Sequence, residues 1–163
     1  MSRVRIAVAA LSLSAAAFVG ILTREGYTDE AIIPVPGDVP TYGFGTTEGV
    51  RMGDRTTPVK AAQRALSDVS KYEGAIKRCV KVPLHPAEYD LYTDLAYNIG
   101  PNGFCNSTIV KRLNAEDYRG ACEAILMWKY GPRKFDCSTP GNKVCSGLWT
   151  DRLKSHAKCV AAQ

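Results

Sequence analysis

Residues 89–122 read YDLYTDLAYNIGPNGFCNSTIVKRLNAEDYRGAC, and the punctuation of this stretch decides the fold class. Leu91, Leu95 and Ile99 recur every four residues, so they share one face of a helix expected from about Ala87 to Asn98. Gly100-Pro101-Asn102-Gly103 ends it. Two shorter helices are predicted near Ser107–Leu113 and Asp117–Lys129, separated by Asn114, with Gly131-Pro132 stopping the second.

Working outward, Thr57 caps an earlier helix that has Pro58 at its first position. Val59, Ala62, Leu66, Val69 and Ile76 give it an apolar face, and it is expected to reach about Cys79. Pro83 and Pro86 break the chain, and a last helix is predicted over Gly147–Lys158. Residues 26–56 are rich in Gly, Pro and Thr, with β-like runs such as Pro40 to Phe44, and read as a small β-hairpin lobe. The expected class is α+β, mainly helical. A length of 163 residues leads to one core. With 45% hydrophobic and 23% charged residues, the chain is neither disordered nor collagen-like. A net charge of +5 suits an acidic partner but is too mild to demand nucleic acid, and none is expected.

The bulk figures hide an asymmetry. Residues 6–23, IAVAALSLSAAAFVGILT, carry no charge and follow Arg3 and Arg5. As a helix they would rise ~27 Å, just enough for a bilayer core. The arginines would stay cytoplasmic. Six alanines, with Ser12, Ser14, Gly20 and Thr23, make the segment a weak anchor. A signal peptide cleaved at Ala15-Ala16-Ala17 is the competing reading. A buried core helix is a third, disfavoured because nothing breaks the apolar surface into a stripe.

The six cysteines, Cys79, Cys105, Cys122, Cys137, Cys145 and Cys159, all follow that segment. An even number behind an export-like segment reads as three disulfides in an oxidising compartment. A metal site is not expected, since no CxxC pair occurs and His85 and His156 are isolated. Cys137 and Cys145 enclose a seven-residue turn-rich loop, STPGNKV, and should pair. The other four allow three pairings. Cys105–Cys122 would tie neighbouring short helices, leaving Cys79–Cys159 to pin the C-terminus.

Two stretches carry possible chemistry: Glu25-Gly26-Tyr27 at the end of the apolar segment, and Gly37-Asp38-Val39-Pro40-Thr41-Tyr42-Gly43-Phe44-Gly45 in the β region. Glycosidic hydrolysis needs one carboxyl that keeps its proton and a second group that activates water or stabilises charge on the sugar. Glu25 abuts apolar residues, which suits the acid. Asp38 sits in a polar turn, which suits the ionised partner. From the residues alone, a helix-end Glu and a turn Asp are the commoner reading.

The order of residues in EG…PTYGFGTT, the 89–122 block, and the later Trp, Gly-Leu and Arg resembles the phage-type lysozymes, muramidases of glycoside hydrolase family 24. The resemblance runs from about Ala17 to Cys159. It implies a lysozyme-like fold: a β lobe, a larger helical lobe, and peptidoglycan bound in a cleft between them, with no cofactor. It also implies a catalytic Glu, Asp and Thr, of which Glu25 and Thr41 match directly. The family spacing Glu-x8-Asp-x5-Thr is not kept: Val35 stands where Asp is expected, so the role falls to Asp38. Asp29 and Glu30 are nearby acids read as solvated charges. Thr46 replaces the histidine that often follows the Gly-x-Gly turn.

On this resemblance, Glu25 protonates the leaving oxygen of the β-1,4 bond between N-acetylmuramic acid and N-acetylglucosamine, and Asp38 and Thr41 direct water. Tyr42, Asn98 and Arg152 are further substrate-binding candidates, with hairpin aromatic, helix C-cap and surface cation as the alternatives. Trp128 and Trp149 are read as core packing before sugar stacking. The alternative functions are a lytic transglycosylase and a non-enzymatic, membrane-tethered wall-binding protein. If Glu25 ends the first helix of the catalytic domain, that helix is Ala16 to Glu25 and the segment is retained. Residues 1–23 then form a releasable anchor of the signal-arrest-release kind, overlapping a catalytic domain of residues 16–163. The expected course is tethering in the host inner membrane, then release to the periplasm as an active monomer.

Overall fold

The computed structural model describes residues 4–34 and 37–163. The helices are α1 (Ala15–Glu25), α2 (Pro58–Cys79), α3 (Pro86–Ile99), α4 (Pro101–Cys105), α5 (Thr108–Asn114), α6 (Tyr118–Ala124) and α7 (Ser146–Ala161). The strands β1 (Thr28–Ile32) and β2 (Thr41–Gly43) pair antiparallel, with Thr28 opposite Gly43 and Ile32 opposite Thr41. Among the described residues no helix is long and apolar enough to cross a membrane. The fold is mainly helical with one small sheet, as the breaks in the sequence require. Length leads to one core and the resemblance to two lobes; the chain divides into two compact units, Leu13–Gly74, and residues up to Ser12 with Ala75–Gln163.

In the unit of residues 13–74, Ser14 rather than Ala16 sets the start of α1: its side chain accepts the Ala17 N–H at 3.1 Å. The Glu73 carboxylate accepts the preceding Leu13 N–H at 2.8 Å. Residues 54–56 extend the sheet, with Ala31 donating to Asp54 and Thr56 to Asp29, both at 2.9 Å. The buried face of α2 differs from the expected one. Ala61, Ala65, Val69 and Ile76 are buried, while Val59 and Leu66 are 69% and 54% exposed. Val69 and Ile76 are as expected; nearer the start of the helix the hairpin intervenes, since a Cβ on Gly43 would stand 2.9 Å from that of Ala61 and leaves room for a small residue there.

The other unit is built around α3, which is buried nearly all round: Glu88, Tyr89, Leu91, Tyr92, Thr93, Leu95 and Ala96 lie inside. Phe104 on α4 packs against it, its ring 5.8 Å from that of Tyr92, and Ile109, Leu113 and Ile125 are buried in α5 and the turn after α6. Residues 4–12 belong here too. Ile6 exchanges two backbone hydrogen bonds with Leu84, at 2.8 and 2.9 Å, and Val8 and Leu11 are buried.

Two of the three expected disulfides are corrected. Cys137 pairs with Cys145, but Cys79 pairs with Cys105 and Cys122 with Cys159, in place of Cys105–Cys122 and Cys79–Cys159. Cys79 and Cys105 are the last residues of α2 and α4, with Cα atoms 5.6 Å apart. Helix α5 intervenes between α4 and α6, while α6 packs along α7 and brings Cys122 to Cys159, with Cα atoms 5.5 Å apart. A non-reducing peptide map will return these three pairs and no free thiol; a Cys105–Cys122 peptide would refute the arrangement. Removing the 122–159 link, which closes the longest loop, will cost about 4 kcal/mol by loop entropy, measurable by denaturant unfolding.

Candidate active site

The chain leaves α1 at Glu25, turns at Gly26 and enters β1 two residues later. The Glu25 side chain is one-quarter exposed, with Arg24 Nη2 3.3 Å from its Oε1. Residues 42–46 form the tight turn after β2, closed by reciprocal backbone bonds between Tyr42 and Thr46 at 3.2 and 3.1 Å. That turn delivers Gly45 to Glu25: a Cβ on Gly45 would lie 3.2 Å from Glu25 Oε2, and its φ is +82°. Both the close approach and the left-handed backbone call for glycine. The Tyr27 and Phe44 rings, 5.4 Å apart, join the first residues after α1 to the same turn.

Behind the turn, Thr46 is buried and its hydroxyl donates to Asp68 Oδ2 at 3.2 Å. Arg64 and Lys71 flank Asp68 at 3.5 and 3.3 Å, and Lys71 also bonds Glu48. The chain thus anchors the turn on α2 with a neutral hydroxyl. Tyr72, one helical turn on, has its phenol pushed above the ordinary range, first by burial and then by the negative charge of Asp68, with Glu25 adding to it. Glu25, Asp68 and Tyr72 share one electrostatic neighbourhood. The Thr46, Asp68 and Tyr72 group was not singled out in the sequence, because nothing in the spacing links a turn residue to α2.

Asp38 and Thr41 are brought together around one residue: Asp38 Oδ1 accepts the Val39 N–H at 2.9 Å, and the Thr41 hydroxyl donates to the Val39 carbonyl at 3.1 Å. Asp38 is exposed and Thr41 half-buried at the start of β2. Asp29 and Glu30 are exposed on β1 and pair with Arg55 at 2.9 and 3.3 Å. Tyr42 is half-buried in the turn.

The remaining candidates lie in the helical unit. Arg152 is buried, 5% exposed, where a surface cation was the alternative expected. Its Nε donates to the Trp128 carbonyl at 3.0 Å and its Nη2 to Asn98 Oδ1, tying α7 to α3 and to the turn after α6. Asn98 is exposed, and the C-cap of α3 is Gly100, not Asn98. Trp128 is half-buried; it packs on Gly103 and lines a pocket of about 390 Å³ with Asn106, Ser107, Thr108, Ala124, Met127 and Tyr130. Trp149 is half-buried on α7. Among the described residues no group of His, Cys, Asp and Glu is placed to hold a metal ion.

The carboxylate at the end of α1 thus lies against the glycine of the β turn within one unit. The family model described as phage lysozyme matches residues 23–155, and the chain belongs to that family. It is 38% identical over 148 residues to a SAR-endolysin of Pseudomonas phage phiKMV, spanning 90% of this chain and 87% of that one. It is 34% identical over 107 residues to the endolysin of Salmonella phage P22, spanning 63% and 73%. Among solved structures, a mutant P22 lysozyme superposes with a TM-score of 0.74 at 28% identity, over 92% of this chain and 99% of that one. An endolysin from Escherichia coli O157:H7 phage FAHEc1 gives 0.77 at 30%, over 94% and 96%. The enzyme is a lysozyme and its substrate class is peptidoglycan.

Gly45→Ala will strain the turn by about 1–2 kcal/mol and displace Glu25, lowering muralytic activity about a hundred-fold. Thr46→Val, which removes the bond to Asp68, will cost about 1–2 kcal/mol with a smaller loss of activity. Thermal unfolding and turbidity clearance of cell walls measure both. Equal losses of activity in the two variants would deny Gly45 its special place.

Proposed function

We propose that this lysozyme cleaves the β-1,4 bond between N-acetylmuramic acid and N-acetylglucosamine, with Glu25 as general acid. The observation that carries the reading is the placing of the Glu25 carboxylate at the end of α1 against Gly45. Glu25 protonates the leaving oxygen as the bond lengthens. Asp38 accepts a proton from water, and the Thr41 hydroxyl orients that water. The pairing of Asp38 and Thr41 around Val39 supports a joint role, since moving the Val39 peptide moves both. The pocket bounded by Trp128 and Tyr130 offers aromatic walls and hydroxyls to the glycan or its substituents. Arg152 acts as an internal brace for that wall.

On purified chain, Glu25→Gln will lower hydrolysis of peptidoglycan about a thousand-fold without changing the thermal midpoint. Asp38→Ala will follow it. Full activity of Asp38→Ala with anhydro-sugar products would replace hydrolysis by lytic transglycosylation.

The enzyme acts, in this reading, as an endolysin whose residues 6–23 first sit in the host inner membrane. Its likeness to SAR-endolysins supports this, as does the uncharged run itself. The folded form uses the same residues differently, as a 3-10 turn at Val8–Ala10, an extended stretch and α1. A tethered chain therefore has no α1 in its folded place and no positioned Glu25. Dissipating the membrane potential of cells that express the chain will move it from the membrane to the soluble fraction with its N-terminus intact. A mature chain beginning near Phe18 would establish cleavage instead.

A further inference from the structure

The strongest unexplained cluster lies far along the sequence from the catalytic candidates. Glu88 on α3 is fully buried. Its Oε2 accepts the His85 N–H at 2.7 Å and Arg5 Nε at 3.3 Å. Its Oε1 accepts Arg5 Nη2 at 3.1 Å and Gln163 Nε2 at 2.8 Å. The Arg5 guanidinium also donates to Gln163 Oε1 at 2.9 Å and lies 3.6 Å over the Tyr118 ring. Among the described residues Arg5 is the one cation paired with this carboxylate, and it stands just before the uncharged run.

We propose that Arg5 is a latch that Glu88 takes up when the N-terminal segment leaves the bilayer, so that extraction and completion of the helical unit are one event. The proposal rests on the membrane reading above. With residues 6–23 across the bilayer, Arg5 lies on the cytoplasmic side while α3 lies on the other. Glu88 is then a buried carboxylate without its cation, and Leu84 lacks the two backbone bonds to Ile6. A lone buried charge is strongly unfavourable, and a paired one with every lone pair satisfied is not. Docking residues 4–12 repairs both defects and buries Val8 and Leu11.

The same arginine couples the segment to the membrane potential. To reach Glu88 it must move outward against an inside-negative field, which disfavours the transfer about 50-fold for each charge and each 100 mV. A polarised membrane holds Arg5 inside, and a depolarised one lets Glu88 capture it. Two features thus sit in one residue: the charge that resists release and the group that makes release hard to reverse.

The test uses the full chain, exported in bacterial cells, as wild type, Arg5→Lys and Glu88→Gln. Arg5→Lys keeps the charge that the membrane senses but loses the two-pronged contact and the ring stacking. Glu88→Gln leaves the N-terminal segment untouched. After addition of a protonophore, the fraction released from the membrane is followed, and the released or purified chains are probed by limited proteolysis within residues 4–12. Both variants should be membrane-held before depolarisation like the wild type. Both should then release about ten-fold less and lose protection of residues 4–12. Wild-type release and protection in both variants would overturn the latch while leaving the membrane reading standing. A wild-type chain already soluble in polarised cells would instead sink the membrane reading, and the latch with it.

Discussion

The unit of residues 13–74 depends on one close approach: the turn after β2 lies against the carboxylate at the last residue of an eleven-residue helix. A helix end frays unless something closes it; here Gly26 closes it by donating its N–H to the Leu22 carbonyl at 3.1 Å, and the β turn meets the last side chain. Gly43 presses on Ala61, Gly45 on Glu25, and Thr46 is fastened to Asp68. The alanine at position 61 follows from this, because a bulkier side chain there would push the turn away. The sheet is too short to be stable alone. It persists because α2 supports its turn and residues 54–56 flank β1.

The helical unit answers a different demand. Its central helix carries a buried carboxylate and three buried aromatic or polar neighbours, so polar satisfaction matters as much as packing. Arg5, Gln163 and the His85 backbone complete Glu88, and Arg152 completes the Trp128 carbonyl and Asn98. Burial and the nearby Glu88 charge also push the Tyr92 phenol well above its ordinary range, so it stays a neutral hydroxyl beside Cys159 Sγ at all working pH values.

How much of this was readable beforehand follows from the range of the forces. Helix boundaries were legible to within a few residues, because Gly100, Pro86, Pro58 and Ser107 act on their own neighbours. The α2 face was misjudged because Val59 and Leu66 are the more hydrophobic choices, while the burying partner, Gly43, is remote in sequence. The disulfides were misassigned for the same reason: pairing depends on which helix ends meet, and α5 had no visible role as a spacer. Glu25 and Thr41 were matched to catalytic positions through the family resemblance and not through spacing. Arg152 was invisible as a brace because burial of an arginine depends on acceptors contributed by two other elements. Arg5 was legible as a charge flanking the uncharged run, but its partner lies 83 residues away.

All three disulfides lie between Cys79 and Cys159, and residues 13–74 contain none. Cross-links narrow the unfolded ensemble of the chain they enclose, so the two units do not share equal resistance to opening. The unit that bears Glu25 is the one without a covalent restraint on its opening. Covalent links thus hold one part of the chain, and the other part relies on its packing and hydrogen bonds alone. Amide hydrogen exchange would register it as two tiers of protection within a single chain.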